Sequence, residues 1–335
     1  MRTEITQSTA ASLLEFDFEQ CRSYTRHHAK SFYFSSFLLP PEKRAAAFAV
    51  YAFCRCADDL VDASDGLGLE RLQENVRSMH AALDAAYEPS FLQEHPSSAF
   101  GQTVKRFAIP KRYFEELISG VSADMTTFRY ETFEQLSGYC YGVASVVGLM
   151  MTEIFGYSDP AALPYAADLG TAMQLTNILR DIRTDLDLSR IYIPQEDLRT
   201  FDYSEEELQA HIINDNFVRL MRFEIDRARA YYARAERGIP YLTDDGSKTT
   251  VVAMSKIYSS ILGQIERHHY DVFSERRFVS TARKLTLTAS YLLSPSERSR
   301  YAHPRDAARH AASHSGAAGA QTDRLHPRFT LSGLK

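Results

Sequence analysis

Asp58 and Asp62, in the run Asp58-Asp59-Leu60-Val61-Asp62, stand four residues apart at the end of an apolar stretch. On a helix that spacing puts both carboxylates on one face, one turn apart. Like charges so placed repel, and hard cations with oxygen ligands offset the repulsion well. A second run, Gln174 to Asp185, repeats the arrangement with Asn177, Asp181 and Asp185 at four-residue intervals. Each step turns only about 40° around a helix, so three oxygens line one face over two turns, with Gln174 one turn earlier. The residues between them, Leu169, Met173, Leu175, Ile178 and Leu179, are apolar, and polar groups in such company need partners. Each run alone has a plain structural alternative: a solvated acidic helix end with Asp59 outside and the others on arginines, and a surface helix pairing its acids with Arg180 and Arg183. Together the two runs make two carboxylate-bearing helices able to hold several Mg²⁺ ions. Mg²⁺ prefers a few carboxylates plus waters and phosphate oxygens, which makes a metal-bridged diphosphate the natural ligand.

The elements that must carry these residues read as helices. Pro41 suits a first helical turn, and Ala45, Phe48, Ala49, Ala52 and Phe53 continue it as an i, i+3, i+4 stripe. Helical periodicity also covers 16–34, 69–86, 111–122, 131–156, 160–187, 204–237, 246–272 and 281–293, with Pro89, Pro96 and Pro110 as punctuation. Only 15 glycines and 12 prolines are spread through 335 residues, a composition that leans helical. No alternating segments suggest a sheet, and no repeat or linker divides the body. The expectation is one all-α domain over 17–293, after an N-terminal extension at 1–16. From Ser294 to residue 335 the chain is polar and poor in large apolar groups, which predicts a mobile tail.

Composition excludes several classes. The formal net charge of −5 gives no footprint for nucleic acid. The basic pairs Arg276-Arg277 and Arg283-Lys284 suit a small anion better, with solvated surface as the plainer reading. Cys21, Cys54, Cys56 and Cys140 have no zinc spacing and read as buried, reduced thiols, which places the chain in a reducing, cytoplasmic compartment. The first twenty residues lack the apolar core of a secretory signal. The longest apolar run, Val143 to Met151, is broken by Ser145 and falls short of the roughly 20 residues of a membrane span. The chain is therefore expected to be soluble, or at most peripheral on the inner membrane surface. Phe32, Phe34, Phe37, the Val143–Met151 run, Leu169 and several tyrosines supply an apolar lining. The chain has 19 Tyr and 20 Phe without a tryptophan. Aromatic faces can stabilise a carbocation, although core packing is the plainer role of each.

Several long stretches, taken in order, resemble one family. His28-Ala29-Lys30-Ser31-Phe32, Leu38-Leu39-Pro40 and Tyr51-Ala52-Phe53-Cys54-Arg55 with Asp58 to Asp62 resemble the first signature of squalene/phytoene synthases. Tyr139 to Met151 resembles the second, in its bacterial phytoene synthase form. Asp168-Leu169-Gly170 through Gln174, Asn177, Arg180, Asp181 and Asp185, then Arg190-Ile191-Tyr192-Ile193-Pro194, resembles the third. The resemblance implies the all-α isoprenoid synthase fold, with helices around a central cavity, and a two-step reaction. One prenyl diphosphate ionises and the double bond of a second attacks the allylic cation, giving a cyclopropylcarbinyl diphosphate. That intermediate ionises, rearranges and loses a proton.

By position, the resemblance assigns Asp58, Asp62, Asn177, Asp181 and Asp185 to Mg²⁺ or Mn²⁺. It assigns His28, Lys30, Ser31, Arg55, Arg180, Tyr258, Arg276 and Lys284 to diphosphate oxygens, and Tyr51, Phe32 and Gln174 to the site lining. Two geranylgeranyl diphosphates would give phytoene without NADPH. Two farnesyl diphosphates, giving dehydrosqualene or squalene, are the alternative, and the absence of a dinucleotide fingerprint disfavours the reductive step. A non-catalytic lipid-binding or assembly-factor relative is expected to lose metal-binding aspartates, and all are present here. A chain-elongating prenyltransferase or terpene cyclase would lack the Tyr139–Met151 signature. Ser145 stands where a glycine is usual, which would narrow the cavity locally. A monomer and a homodimer are equally compatible with the sequence.

Overall fold

Asp17 opens the first helix with a capping box. Its side chain accepts from the Gln20 N–H, and the Gln20 side chain accepts in return from the Asp17 N–H, satisfying two otherwise orphaned donors. A computed structural model describes residues 14–62, 69–123 and 127–302. The run expected as one helix over 16–34 divides at Ala29 (φ −131°, ψ 65°) into α1 (Phe18–His28) and α2 (Lys30–Ser36). His28 therefore ends one helix and Lys30 begins the next.

α3 (Pro41–Asp62) follows, then α4 (Leu69–Tyr87), the short α5 (Phe91–Glu94), α6 (Ala99–Phe107) and α7 (Lys111–Ala123). α8 (Phe133–Cys140) runs through a π-helical turn, Tyr141–Ser145, into α9 (Val146–Phe155). α10 (Ala162–Asp187) has 26 residues and spans about 39 Å. After the short α11 (Gln195–Thr200) and α12 (Glu205–Gln209) come α13 (Asp215–Ala235), a 3₁₀ turn (Glu236–Tyr241), α14 (Ser247–Arg267), α15 (Thr281–Leu293) and α16 (Pro295–Ser299). The helix expected over 204–237 is thus interrupted: α12 stops at Gln209, and Asn214 caps α13 by accepting from the Phe217 N–H. Among the described residues extended pairing is limited to isolated bridges, Arg129 with Ile191 and Tyr157 with Leu242, so the all-α reading holds.

Two apolar clusters organise these helices. In the first, Phe53 of α3 stacks on Phe100 of α6 at 4.8 Å and meets Phe114 of α7 edge-on at 5.0 Å, with Met150 and Ile154 of α9 buried beside them. The second joins Leu175, Ile178, Leu179 and Ile182 of α10 to Phe217, Leu220 and Met221 of α13 and to Ile257, Ile261 and Ile265 of α14. Leu169 packs against both. α10 therefore leaves one cluster and enters the other without a break.

Helix contact around the π turn is set by glycines. An added Cβ on Gly170 would lie 2.5 Å from the Ala144 carbonyl oxygen, and one on Gly142 would lie 3.0 Å from the Gly120 Cα. Backbones this close leave no room for a side chain. Ser145, expected to narrow the cavity, instead turns into this contact: it donates to the Ala167 carbonyl at 2.7 Å and lies 2.9 Å from the Thr171 hydroxyl. It is fully buried and ties the π turn to α10.

The helix formed by α8, the π turn and α9, Phe133–Phe155, is long and apolar enough to cross a membrane by length and composition, but half of its apolar window is buried within the protein. The helix expected over 131–156 is therefore present, and the comparison with a membrane span, made on the Val143–Met151 run broken by Ser145, left out its N-terminal turns. Leu14, inside the stretch read as an N-terminal extension, is buried, and the Ala99 N–H of α6 donates to the neighbouring Phe16 carbonyl. At the other end, α16 occupies residues read as tail. Lys256 pairs with Glu297 at 2.7 Å, and Tyr301 is buried against Tyr291. The compact unit ends at Tyr301, and the expected mobile tail beyond residue 302 lies outside the described residues.

Candidate active site

On α3, Tyr51, Arg55 and Asp58 follow one another at intervals of four and three, so they share a face. The Arg55 guanidinium donates through Nη2 to Asp59 Oδ1 at 2.6 Å, and its Nη1 lies 3.9 Å from Asp58 Oδ2. Burial works against the charge of Arg55, but Asp59 and Asp58 together raise its pKa above the ordinary value. Asp59, which only the solvated-helix alternative placed outside, is held by protein: its other oxygen accepts from the Tyr24 hydroxyl at 2.5 Å. Asp62 closes α3, and its side chain lies outside the described residues.

On α10, Asn177 donates through Nδ2 to Gln174 Oε1 at 3.3 Å. One turn on, the Asp181 carboxylate takes two guanidinium groups. Arg180 donates from Nε at 2.8 Å and from Nη2, and Arg276 donates from Nε and Nη2 at 2.7 Å each. The Asp181 side chain is 15% exposed. Burial alone would raise its pKa, but the bonds from Arg180 and Arg276 hold it below the usual carboxylate value. Asp185, half-buried one turn further, adds to the field that keeps Arg276 charged. Arg276 comes from the loop after α14, 95 residues away in sequence. Asp271 fixes that loop by accepting the N–H groups of Phe273 and Ser274, while Phe273 is buried in the second cluster.

Tyr51 and Tyr258 link the two runs electrostatically. Burial pushes the Tyr51 hydroxyl pKa up; Arg55 opposes the shift, and Tyr258 and Asp58 add to it. Burial likewise raises that of Tyr258, which feels Arg180, Asp181 and Arg276. A continuous electrostatic neighbourhood therefore runs from Asp58 through Arg55, Tyr51 and Tyr258 to Asp181. Around it, the joint between the clusters presents half-buried Phe34, Met173 and Tyr258 from the second and Tyr51, Val143, Val147 and Met254 from the first.

The remaining expected residues gather where α1 and α2 meet. The His28 ring lies 4.4 Å from that of Tyr24, and its pKa is lowered by burial and by Arg55. Lys30 is exposed and Ser31 half-buried. Lys284 of α15 is buried, and burial together with Lys30 lowers its pKa. Phe32 is buried against Phe48 and Tyr51, the latter 5.5 Å away, so it backs the Tyr51 ring. Phe37, read as lining, is an exposed residue beneath the Arg44 guanidinium, 5.0 Å from its ring centre. Its place just after the last residue of α2 was not legible because the break at Ala29 resets the helical phase.

The donor set fits a hard divalent cation. Asp58, Asn177, Asp181 and Asp185 offer only oxygen, on half-buried faces bordered by guanidinium groups. Among the described residues no three carboxylate, imidazole or thiol groups form a cage of their own. An all-oxygen donor set of this kind suits Mg²⁺, which keeps waters and phosphate oxygens in its shell. Tyr24 and Asp59 are the members that sequence reasoning missed. The i, i+4 spacing of Arg55 and Asp59 was the available signal for one, and nothing local pointed to Tyr24.

Known proteins match this arrangement along most of the chain. At 39% identity it aligns with the 15-cis-phytoene synthase of Synechococcus elongatus over 83% of this chain and 93% of that one. The 15-cis-phytoene synthase of Synechocystis sp. is also 39% identical, over 81% and 83%. Among solved structures, a dehydrosqualene synthase in complex with ligand superposes with a TM-score of 0.74 at 31% identity, covering 83% of this chain and 96% of that one. Squalene synthase HpnC from Alicyclobacillus acidocaldarius superposes with a TM-score of 0.67 at 30% identity, covering 76% and 94%. The sequence model of the squalene/phytoene synthase family matches residues 25–284, which takes in both acidic runs, the Tyr51–Tyr258 bridge and Arg276, and the chain belongs to that family.

Proposed function

We propose that this protein is a prenyltransferase that joins two geranylgeranyl diphosphates head to head, through a cyclopropylcarbinyl diphosphate, to phytoene with release of diphosphate. The observation that carries the choice of product is the 39% identity to 15-cis-phytoene synthases over more than four-fifths of the chain. Farnesyl diphosphate as substrate is the second reading, favoured by the likeness to a dehydrosqualene synthase.

In this reading Arg55, Arg180 and Arg276 bind diphosphate oxygens with planar forks, and His28, Lys30, Ser31 and Lys284 extend the anion-binding rim. Asp58, Asp62, Asn177, Asp181 and Asp185 hold Mg²⁺, which when bound adds positive charge against the departing diphosphate. Lys284, whose charge burial disfavours, becomes favourably charged once an anion is beside it. Tyr51 and Tyr258 have hydroxyl pKa values raised by burial, so they remain neutral phenols and present ring faces to a developing carbocation instead of acting as bases. Phe32 keeps the Tyr51 ring in place. The released diphosphate is the base that takes the last proton in this reading.

The long apolar product also gives meaning to one outer face. Leu285, Leu292 and Leu293 of α15 fall on one side of the helix, and Phe278 precedes it, all of them exposed. We assign this face to contact with a membrane surface.

A product assay tests the reading. Purified protein is incubated with Mg²⁺ and either geranylgeranyl or farnesyl diphosphate, with and without NADPH, and the extracted hydrocarbon is identified. A forty-carbon product formed without NADPH is expected. A thirty-carbon product as the sole outcome overturns the choice of substrate while keeping the chemistry.

A further inference from the structure

Asp59 sits inside the acidic run, yet its contacts differ from those of its neighbours. Both of its oxygens are engaged by protein: Oδ1 accepts from Arg55 Nη2 at 2.6 Å, and Oδ2 from the Tyr24 hydroxyl at 2.5 Å. The Arg55 Nε is buried without a hydrogen-bond partner. The guanidinium is therefore oriented through its Nη atoms, of which Nη2 is committed to Asp59 and Nη1 faces Asp58 at 3.9 Å. Tyr24 is buried in α1 and its ring lies against His28. Burial and the carboxylate partner both keep its hydroxyl protonated, so it is a permanent donor.

We infer that Asp59 and Tyr24 are a positioning pair: Asp59 holds the Arg55 guanidinium toward the diphosphate, and Tyr24 holds Asp59 and His28. The inference rests on the diphosphate-binding role proposed for Arg55. It separates two adjacent carboxylates by task, with Asp58 left to face the metal and Asp59 facing the protein. Rotating Asp59 outward would free Arg55 to turn fully onto Asp58, coupling two groups that the reaction needs apart.

The test uses isosteric variants, Asp59→Asn, Tyr24→Phe and Asp58→Asn, with two readouts. The first is calorimetric binding of inorganic pyrophosphate at a series of Mg²⁺ concentrations, which needs no turnover. Asp59→Asn is expected to weaken pyrophosphate binding at least about tenfold, the loss of one hydrogen bond between charged groups, and Tyr24→Phe by roughly threefold. The Mg²⁺ concentration for half-maximal binding should move less than about threefold in both, whereas Asp58→Asn raises it at least tenfold. The second readout is a double-mutant cycle. In an Arg55→Gln background, Asp59→Asn should change pyrophosphate affinity by less than about twofold, because it acts through Arg55.

A rise in Mg²⁺ requirement for Asp59→Asn equal to that of Asp58→Asn would make Asp59 a metal ligand and overturn the assignment. So would an undiminished effect in the Arg55→Gln background, or no pyrophosphate binding by the unmodified protein. A different hydrocarbon in the product assay, with these binding results intact, would reject the proposed substrate and leave the positioning pair standing.

Discussion

Asp181 shows what a single side chain must do here: remain ionised in a half-buried place, and stay there in one orientation. Two guanidinium groups secure both, at distances of 2.7–2.8 Å for three of the four bonds. Asp58 is more open, its side chain 43% exposed, and is held by its helix. Replacing either with alanine is expected to cut turnover by at least about 10²-fold, the scale of losing one charge-stabilising group. Far-ultraviolet circular dichroism should record unchanged helix content. Turnover within a factor of ten of the unmodified protein in either variant would remove that aspartate from the metal site. The four-residue rhythm of Asn177, Asp181 and Asp185 was legible because helix geometry alone fixes it. Arg276 was expected in the site, but its pairing with Asp181 from 95 residues away was not legible, because it depends on where the loop after α14 is folded.

At the scale of elements, the site depends on how closely α10 approaches the π turn. Gly170 lies in that contact and Gln174, expected in the site, follows it one turn later. Gly170→Ala would set a Cβ against backbone atoms at 2.5 and 2.6 Å, and backbone cannot rotate away. The helices must separate, at a cost of about 1–3 kcal/mol or more. Urea denaturation measures that loss, and a rise in KM should accompany it as Gln174 and Asn177 shift. Gly263, inside α14 one turn before its C-terminal end, has nothing within 4 Å of an added Cβ, so Gly263→Ala is expected to stabilise by about 0.5–1 kcal/mol. If Gly170→Ala proved the milder of the two, the tight contact would not be a constraint. The long helices were legible from apolar periodicity, and α15 falls at 281–293 as expected. The π turn was not, because it is set by close packing against α10, and the break at Ala29 and the end of α12 at Gln209 were not, because apolar periodicity runs on across them, although the Ser204–Glu207 capping box marks where α12 starts.

For the whole molecule, the exposed face of α15 sets a prediction about where the protein works. Phe278 is 66% exposed, Leu285 55% and Leu293 80%. The double variant Leu285→Glu/Leu293→Glu should bind anionic lipid vesicles at least roughly tenfold more weakly in a sedimentation assay, since each leucine is worth about 1.5–3 kcal/mol when buried. Turnover in detergent should stay within about threefold, because both side chains are exposed on the outer face while Lys284 is buried. Equal sedimentation of variant and unmodified protein would dismiss this face as the contact. The all-α class was legible from composition and period and the isoprenoid synthase fold only through the resemblance, whereas the division into two apolar clusters was not, because α10 and α14 enter both. That division has a consequence for the chemistry. Asp58 is anchored by residues of the first cluster and Asp181 by residues of the second, so the gap between the two acidic runs is a tertiary dimension, and α10, seated in both clusters, is the ruler that sets it. Enzyme activity can then be lost with every functional side chain intact, by any change that lets the ruler bend or slip, and damage remote from the diphosphate would read out as a weakened grip on the metal.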